Sequence, residues 1–475
     1  MTPPSDSAPP EGPRWAQRDS RCVWHPFTPM KQWLTEADEP GRVIQAGEGF
    51  ELIDSRGRRY IDGFGSLWCN LHGHRVARID RAVADQLERI AHSTLLGHAS
   101  IPSIELAERL VSISPEPLAK VFYSDSGAAA VEVALKMAFQ YYRNCGQPER
   151  RRFLALRGSY HGDTIGAVSL GGIDRFHEVF RPLLFETTFV DSPNPYHHPA
   201  GDQAAHAVLR RIAGELEADA GQYCAVIVEP LIQAAGGMLT HAPGFLRGLR
   251  ELTRRYDVLL IADEVATGFC RTGRMFACEH EGVCPDLMCL GKGLTGGYLP
   301  VAATLATQEI FDAFCGEIAE GRTFYHGHTY TGNALGCAAA AASIDLIFES
   351  RLLEQLPEKI GLIRERLAEL ADHPHVGDVR QCGMMVGIEL VRQRKRGQAP
   401  FRPQGPRGAS HERVPVPFSP ALQVGAAVCR HARNHGVIIR PLGDVVVLMP
   451  APAMDMTTLN RLLDAVGTTI HEYFL

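Results

Sequence analysis

A lysine between glycines is the residue of this sequence that is best placed for covalent chemistry. Lys292 follows the apolar run 287–290 and lies in the segment 291–297, which reads Gly-Lys-Gly-Leu-Thr-Gly-Gly. A lysine that is removed from water has a lowered pKa, and its amine becomes a nucleophile toward aldehydes. The neighbouring glycines leave room for a planar ligand. The segment therefore predicts a lysine that forms a Schiff base with a bound aldehyde.

Carboxylates that follow two other apolar runs are candidate partners for this lysine. Glu229 follows the run 223–228, and Asp263 and Glu264 follow the run 258–262. In an open parallel sheet, ligands bind beyond the carboxyl ends of the strands, so we expect these side chains to converge. An unpaired carboxylate at the edge of an apolar sheet is costly, which favours a cationic partner.

Two further segments have the residue types needed to hold a phosphate and to stack on a ring. The segment 124–128, Ser-Asp-Ser-Gly-Ala, precedes a helical pattern over 129–142. A helix entry made of small residues leaves backbone N–H groups free for a phosphate, although a serine-capped buried helix explains the pattern equally well. Tyr160 and His161 follow the run 153–156 and adjoin a glycine that allows close approach, although a packed turn would have the same residues.

A Schiff-base lysine, an acid for a pyridinium nitrogen, a phosphate site and a stacking aromatic together describe a pocket for pyridoxal phosphate. Gly291, Gly293 and Gly296 also match the Gly-x-Gly-x-x-Gly pattern of dinucleotide sites. That match is weak because Gly297 and Pro300 interrupt the helix that should follow it. The sequence therefore favours pyridoxal phosphate over a nicotinamide cofactor.

The elements that must position these residues alternate between short apolar runs and longer amphipathic stretches. This alternation predicts an α/β large domain with a mainly parallel central sheet whose strands are covered on both faces. After about residue 345, a charged, exposed helix over 351–370 and a strand over 384–390 predict a smaller α+β domain. The strands predicted for the large domain are 121–123, 153–156, 223–228, 258–262 and 287–290.

The 475 residues leave room for about two or three domains. A stretch rich in Pro, Ser and Glu predicts a disordered leader over 1–20 and excludes a signal peptide. In the C-terminal domain, residues 391–418 are rich in Arg, Pro, Gly and Ser and lack periodicity, which predicts a mobile loop. The expected domains are the N-terminal part of the small domain over 21–65, the large domain over 66–345 and the C-terminal small domain over 346–475.

Charge and cysteine usage narrow the classes of partner. The 54 acidic and 48 basic residues give a formal charge of −6, so the chain lacks the basic excess that nucleic-acid binding needs. No apolar run approaches the roughly 18 residues that span a bilayer. The twelve cysteines include four between 270 and 289, but their spacing lacks zinc knuckles. We therefore expect free thiols in a reducing cytoplasm and no metal site.

The motifs around these candidates resemble those of the class III aminotransferases of fold type I. They are Asp-Glu-Val-Ala-Thr-Gly-Phe at 263–269, Arg-Thr-Gly at 271–273, Tyr-His-Gly-Asp-Thr at 160–164 and the segment 291–297. Within the class, the group that converts 8-amino-7-oxononanoate to 7,8-diaminononanoate in biotin synthesis is the most similar. It is matched at 24–28, at Trp68 with 71–74, and at 276–280, 326–333 and 439–443. The resemblance covers about residues 22 to 450 and implies a pyridoxal-phosphate-dependent aminotransferase.

The resemblance also implies roles at the matching positions. Lys292, Asp263 and Tyr160 would be catalytic: the lysine carries the cofactor and moves protons, the aspartate pairs the pyridinium nitrogen, and the tyrosine stacks on the ring. The other cofactor-binding residues that it implies are Gly127, Ala128, His161, Glu229, Val265, His328 and Thr329. The substrate-binding residues that it implies are Phe27, Leu67, Trp68, Gly327 and Arg440. Residues 327–329 would come from the partner subunit of a homodimer, and Arg440 would grip the carboxylate of the keto acid.

Two departures from the group's pattern concern the amino donor. Members that use S-adenosylmethionine resemble this chain except that they have Tyr in place of Phe27 and a Trp-Trp pair in place of Leu67 and Trp68. The missing hydroxyl and indole remove contacts suited to a sulfonium nucleoside. A branch that uses lysine is similar here, including the segment 90–97, so both donors stay open and lysine is favoured. The rival functions are another class III ω-amine transaminase, a nicotinamide-dependent oxidoreductase and a catalytically silent scaffold.

Overall fold

A computed structural model of the protein describes residues 12–36, 39–394 and 415–475. In these ranges the helices are α1 Gly12–Cys22, α2 Met30–Thr35, α3 Gly65–Trp68, α4 Ala77–Arg89, α5 Ile101–Ile113, α6 Gly127–Asn144, α7 Ile165–Ser169, α8 Asp174–His177, α9 Ala204–Asp219, α10 Phe245–Arg255, α11 Gln308–Ala313, α12 Ala334–Glu349, α13 Leu352–Ala368, α14 Val424–His431 and α15 Met456–Tyr473. The strands are β1 Ile44–Glu48, β2 Glu51–Asp54, β3 Arg59–Asp62, β4 Leu118–Ser124, β5 Arg152–Leu156, β6 Thr188–Val190, β7 Tyr223–Val228, β8 Ile232–Gln233, β9 Leu239–Thr240, β10 Leu259–Asp263, β11 Leu287–Leu290, β12 Ala302–Thr307, β13 Val376–Cys382, β14 Met385–Leu390, β15 Val437–Ile438, β16 Arg440–Leu442 and β17 Val445–Leu448. Short 3₁₀ helices include Ala277–Glu281, Lys292–Thr295 and Ala432–His435.

The central sheet has seven strands in the order β4-β12-β11-β10-β7-β5-β6. Strand β12 pairs antiparallel with both of its neighbours, and the other pairings in the sheet are parallel. Every residue of β7, β10 and β11 is buried, as expected for parallel strands that are covered on both faces. The predicted α/β class with a mainly parallel sheet is therefore confirmed. The carboxyl ends of six strands meet at one edge of the sheet.

Helix α6 lies directly against this sheet because its inward face is made of small residues. Ala130, Ala134 and Ala138 are fully buried against the strands, which lets the helix backbone approach closely. The helix begins after Ser126, whose Oγ accepts a hydrogen bond from the Ala129 N–H. This serine cap fixes the residue at which α6 begins after β4. The first turn of α6 therefore lies at the carboxyl edge of the sheet.

Strands from both ends of the chain meet in one smaller four-stranded sheet, which has the order β1-β2-β3-β15. Strand β15 pairs with β3, where Val437 lies opposite Ile61. A second four-stranded sheet has the order β13-β14-β17-β16. Its buried Arg380 contacts Glu389 within the sheet and donates to the carbonyl oxygens of Gly237 and Met238. This arginine thus attaches the second sheet to the segment between β8 and β9.

The strands predicted over 223–228 and 287–290 are confirmed at those bounds, and the other predicted strands overlap observed ones. The helical pattern over 129–142 lies inside α6. The expected domain boundaries stay predictions, and α12 crosses the one placed between 345 and 346. None of the described helices is long and apolar enough to cross a membrane.

Two expectations about the outer parts of the chain are wrong. Residues 12–20, expected to be part of a disordered leader, lie in helix α1, where Ala16 is buried and Asp19 accepts a hydrogen bond from Trp33. The polar composition of the whole stretch gave no sign of this buried alanine or of this hydrogen bond. Helix α13 is not an exposed helix, because one of its faces is buried through Leu356 and Ile363. Residues 1–11 and most of the predicted loop, 395–414, lie outside the described residues.

Candidate active site

A cavity of about 430 Å³ lies beyond the carboxyl ends of the parallel strands. Of the residues predicted from sequence, those that line it are Trp68, Gly127, Ala128, Tyr160, His161, Glu229, Asp263, Val265 and Lys292. Ser126, Asp163 and Thr164 complete one wall. A larger depression of about 800 Å³ runs along the outer face of α6, but it lacks these groups. The convergence expected from the strand ends is therefore found in the smaller cavity.

Lys292 reaches the cavity from the first position of the 3₁₀ helix after β11. Its φ of 43° lies in the left-handed region, which is uncommon for a residue with a side chain and typical of functional positions. Burial lowers the pKa of its amine, while the nearby carboxylates of Asp263 and Glu229 act in the opposite direction. The Nζ atom lies 5.5 Å from the ring centre of Trp68. A lowered pKa leaves more of the amine in the neutral, nucleophilic form.

Asp263 ends strand β10 and has both carboxylate oxygens engaged. Its Oδ2 lies 2.7 Å from His161 Nδ1, and its Oδ1 accepts a hydrogen bond from the Val265 N–H at 3.1 Å. Both side chains of the His161–Asp263 pair are almost completely buried. A carboxylate held at two points keeps one orientation, which suits it to pair with a cationic ring nitrogen.

Glu229 and Glu264 are buried carboxylates with different surroundings. Glu229 accepts backbone hydrogen bonds from Tyr160 and Ala234, and burial raises its pKa to about 7. It therefore orients the segment that carries Tyr160. Glu264 accepts hydrogen bonds from Thr267 and from the backbone of Cys278, outside the residues that line the cavity. Its role is to hold the 3₁₀ helix Ala277–Glu281 against the end of β10.

The start of α6 provides backbone donors for a phosphate. The N–H of Ala129 donates to Ser126 Oγ and the N–H of Ala130 to Ser126 O. Among the described residues, the N–H groups of Gly127 and Ala128 donate to no hydrogen-bond acceptor, and both residues line the cavity. Free donors in the first turn of a long helix are suited to bind an anion.

Tyr160 and Val265 form two of the walls. The Tyr160 hydroxyl donates to Asp163 Oδ2 at 2.6 Å, which fixes the plane of the ring. Burial raises the pKa of this phenol, so it stays neutral. A Cβ atom placed on Gly127 would lie 2.5 Å from Val265 Cγ1, so these two residues are in close contact and a side chain at 127 would displace the valine.

The side chains of Leu67 and Trp68 point in different directions. All four residues of α3 have φ values between 48° and 70°, so this segment is a left-handed turn and not a regular α-helix. Trp68 is buried and lines the cavity, whereas Leu67 is 47% exposed and does not. Phe27 is 54% exposed and touches Phe176 edge to face. Of the residues predicted to distinguish donors, Trp68 alone therefore lines the cavity of this chain.

The remaining predicted residues lie outside this cavity. Arg440 is half-buried at the start of β16, and burial lowers the pKa of its guanidinium. Gly327, His328 and Thr329 do not line the cavity either. The backbone oxygen of Thr329 instead contacts His92 at 2.8 Å, and His328 lies 3.7 Å from Asp125.

The cavity fits pyridoxal phosphate by features other than its lysine. A volume of about 430 Å³ falls within the range of small-ligand pockets, roughly 300 to 1,000 Å³. His161 Nε2 and Trp68 Nε1 are buried, and neither has a hydrogen-bond partner in the part of the chain that the structure describes. The free N–H groups of α6 suit the phosphate, and the Asp263 carboxylate suits the ring nitrogen.

The family model described as aminotransferase class-III matches residues 35–470. The chain belongs to the class III aminotransferases. These enzymes depend on pyridoxal phosphate, and the fit of the cavity agrees with this. The α/β fold, the aminotransferase activity and the cofactor expected from the sequence are therefore confirmed.

Several relatives of this aminotransferase share one name. An adenosylmethionine-8-amino-7-oxononanoate aminotransferase from Geobacter sulfurreducens is 50% identical over 457 residues, which cover 95% of this chain and 96% of that protein. The crystal structure of the enzyme so named from Methanocaldococcus jannaschii has a TM-score of 0.88 at 40% identity and covers 97% of this chain and 99% of that one. The structure of an amine transaminase from an uncultivated Pseudomonas species, in its pyridoxal-phosphate-bound form, has a TM-score of 0.85 at 33% identity. The match covers 95% of this chain and 98% of that one.

Sequence reasoning missed two contacts that shape the site. It predicted that His161 binds the cofactor, which stays a prediction, but it did not predict that His161 Nδ1 contacts Asp263. It gave no role to Asp163, whose carboxylate holds the Tyr160 hydroxyl. The spacing of Tyr160 and Asp163 along the chain was the available signal for the second contact. The contact between His161 and Asp263 joins residues 102 positions apart, so no local sequence pattern could indicate it.

Proposed function

We propose that this aminotransferase converts 8-amino-7-oxononanoate to 7,8-diaminononanoate in biotin synthesis. The observation that carries the substrate assignment is the 50% identity to the Geobacter sulfurreducens protein across 95% of the chain. The cavity supports the same reaction class, because a lysine, a buried aspartate and free helix N–H groups meet in it. We further propose that Lys292, Asp263 and Tyr160 are the catalytic residues.

The residues of this chain have distinct tasks in that reaction. When bound, pyridoxal phosphate supplies an electron sink for the pair left by the breaking C–H bond. Lys292 Nζ takes that proton and returns it, since burial favours the neutral amine. Asp263 places a fixed negative charge at the end of β10, and His161 holds it in position. Arg440 binds the substrate carboxylate through its planar guanidinium.

Each of the two candidate donors has specific support. The names of the relatives favour S-adenosylmethionine. The side chains favour lysine, because Phe27 lacks a hydroxyl and Leu67 offers an adenine little stacking surface. Stacking of a base on an aromatic ring contributes about 1 to 3 kcal/mol, so one lost stack weakens nucleoside binding about ten- to a hundredfold. The inward position of Trp68 offers one indole in compensation.

The proposal includes a homodimer in the cytoplasm. Gly327, His328 and Thr329 lie outside the chain's own cavity, in keeping with a role in the cavity of a partner subunit. Tyr325 and Tyr330 on the same segment are 82% and 59% exposed, which gives a partner aromatic surface to cover. The cysteines are free thiols, in keeping with a reducing compartment. Light scattering of the purified enzyme measures the oligomer, and a monomer would contradict the dimer.

The substrate assignment is tested with the purified enzyme, 8-amino-7-oxononanoate and each donor in turn, with the diamine detected by mass spectrometry. We expect kcat/KM for this keto acid to exceed that for pyruvate with an aromatic amine by at least about a hundredfold. The opposite ranking would favour an ω-transaminase; one from Thermomicrobium roseum has a TM-score of 0.89 at 31% identity.

The donor is tested in a half-reaction with one amine at a time. The productive donor converts the absorbing form of the bound cofactor to its amine form, and the other donor leaves the spectrum unchanged. Conversion by S-adenosylmethionine alone would contradict the preference for lysine. Conversion by neither would contradict both assignments.

A further inference from the structure

Three potential metal ligands from three helical elements converge on the side of the molecule that carries the C-terminus. His431 ends α14, His435 ends the 3₁₀ helix that follows it, and Glu472 lies in the last turn of α15. One ligand atom from each residue lies within 4.8 Å of the others. Glu472 Oε2 is 3.0 Å from His435 Nε2 and 3.4 Å from His431 Nε2. The two imidazoles therefore face the same carboxylate oxygen.

We propose that His431, His435 and Glu472 bind a divalent cation of the zinc class, at a site separate from the aminotransferase cavity. Two imidazoles and one carboxylate are a ligand set that Zn²⁺ accepts, with water in the fourth position of a tetrahedron. Bonds of about 2.0 to 2.2 Å place such ligand atoms about 3.3 Å apart. The two contacts to Glu472 already have nearly this length. Mg²⁺ and Ca²⁺ prefer oxygen ligands, so the two histidines select against them.

The hydrogen bonding of the cluster leaves a nitrogen available. His435 Nε2 is buried and has no hydrogen-bond partner of acceptable geometry among the described residues, despite its close approach to Glu472. Buried polar atoms are usually satisfied, and a metal ion would satisfy this nitrogen together with the carboxylate. Glu472 is 48% exposed, which leaves a path for the ion and room for the coordinating water.

The neighbouring positive charges are engaged elsewhere. Arg433 Nη1 lies 3.2 Å from Glu39, and Arg430 Nη1 lies 3.7 Å from Glu36. These arginines therefore interact with residues that precede β1, and acidic partners offset the repulsion they would exert on a cation. A bound ion would join the end of α14 to α15, just before β15 and Arg440. The role that follows from this position is to stabilise the C-terminal part of the fold.

The test uses the holoenzyme without a histidine tag, stripped with a chelator and dialysed. Zn²⁺ is titrated by calorimetry into the wild type and into His435→Gln and Glu472→Gln. The matched control is His206→Gln, which changes an exposed histidine on α9. We expect one tight equivalent per chain in the wild type and the control, and at least about tenfold weaker binding in both cluster variants. A Zn²⁺-dependent rise in Tm should be lost in the same two variants.

Equal Zn²⁺ affinity in the wild type and the cluster variants would overturn the proposal, as would a wild type that binds no tight equivalent. Either result would mean that the histidines only contact Glu472 directly. Mg²⁺ in place of Zn²⁺ should leave Tm unchanged, and an equal rise with Mg²⁺ would overturn the assignment to the zinc class. Aminotransferase activity is measured in parallel; it tests the proposed function and not this site.

Discussion

His161 Nδ1 lies 2.7 Å from Asp263 Oδ2, in a buried contact between the segment after β5 and the end of β10. The second oxygen of Asp263 accepts the N–H of Val265, so the carboxylate is held from two sides. The orientation of Asp263, the acid proposed to pair the cofactor, therefore depends on a histidine from another strand end. We therefore propose that His161 acts through Asp263, as a positioning residue.

The variant His161→Ala should lower kcat about ten- to a hundredfold, because a hydrogen bond to a charged group contributes about 1.5 to 3 kcal/mol. The cofactor should remain bound, and its absorption spectrum should change its pH dependence because Asp263 is no longer fixed. Steady-state assays measure the change in kcat, and a pH titration followed by absorption measures the change in the spectrum. An unchanged spectral titration with normal kcat would contradict the positioning role.

The variant Lys292→Ala should fold and retain cofactor through the phosphate site, yet lose turnover by about a thousandfold or more, since none of the other described residues that line the cavity is a lysine. Activity and cofactor content of the purified variant test this. Lys31→Ala, which removes an exposed lysine on α2, is the matched control and should behave as the wild type. Near-normal turnover of Lys292→Ala without added amine would refute the assignment.

The variant Asp263→Asn should keep its bound, coloured cofactor and lose at least about a hundredfold in turnover, because a neutral amide does not hold the proton on the ring nitrogen. Asp163→Asn is the control in the same cavity, since its carboxylate holds the Tyr160 hydroxyl and no ring nitrogen. The Asp163→Asn variant should lose less turnover than Asp263→Asn. If both variants lost the same activity, a general effect on the cavity would replace the specific role of Asp263.

Glu229 should make the stability of the enzyme depend on pH. Its pKa in the fold is about 7 and its ordinary value is 4.5, so the folded state binds more protons between these two values. Stability from this group is therefore present below about pH 4.5 and falls as pH rises to about 7, by up to about 3 kcal/mol. The Tm of Glu229→Gln should accordingly rise relative to the wild type over this range. A Tm difference that stays constant with pH would contradict the raised pKa; Glu186→Gln, at an exposed position, is the control.

The variant Gly127→Ala should weaken retention of pyridoxal phosphate, because the new methyl group would lie 2.5 Å from Val265 Cγ1 and displace the start of α6. Dialysis against cofactor-free buffer, followed by absorption spectra, measures retention. The double variant Gly127→Ala with Val265→Ala removes the clash and should recover part of the lost cofactor retention. Equal loss in the single and double variants would show that contact with Val265 is not the cause.

The ends of the strands could be predicted from the sequence, because buried parallel strands are apolar throughout and end where polar residues begin. Strand β7 ends before Glu229 and β11 ends before Gly291, as the runs predict. Helix α1 was not recognised, because its stability depends on contacts with α2 that composition does not contain. Residues 395–414 of the predicted mobile loop lie outside the described part of the chain, so that prediction is untested there.

The sequence by itself determined the chemistry of this protein: a lysine between glycines, carboxylates after buried strands and a small-residue helix entry already specify a pyridoxal phosphate enzyme. The tertiary structure alone decided which side chains meet. It paired His161 with Asp263 across 102 residues and turned Trp68 inward while Leu67 stayed outside. It also brought His431 and His435 to Glu472. Periodicity along the chain reports which face of an element is buried, but contacts between distant elements depend on how those elements pack.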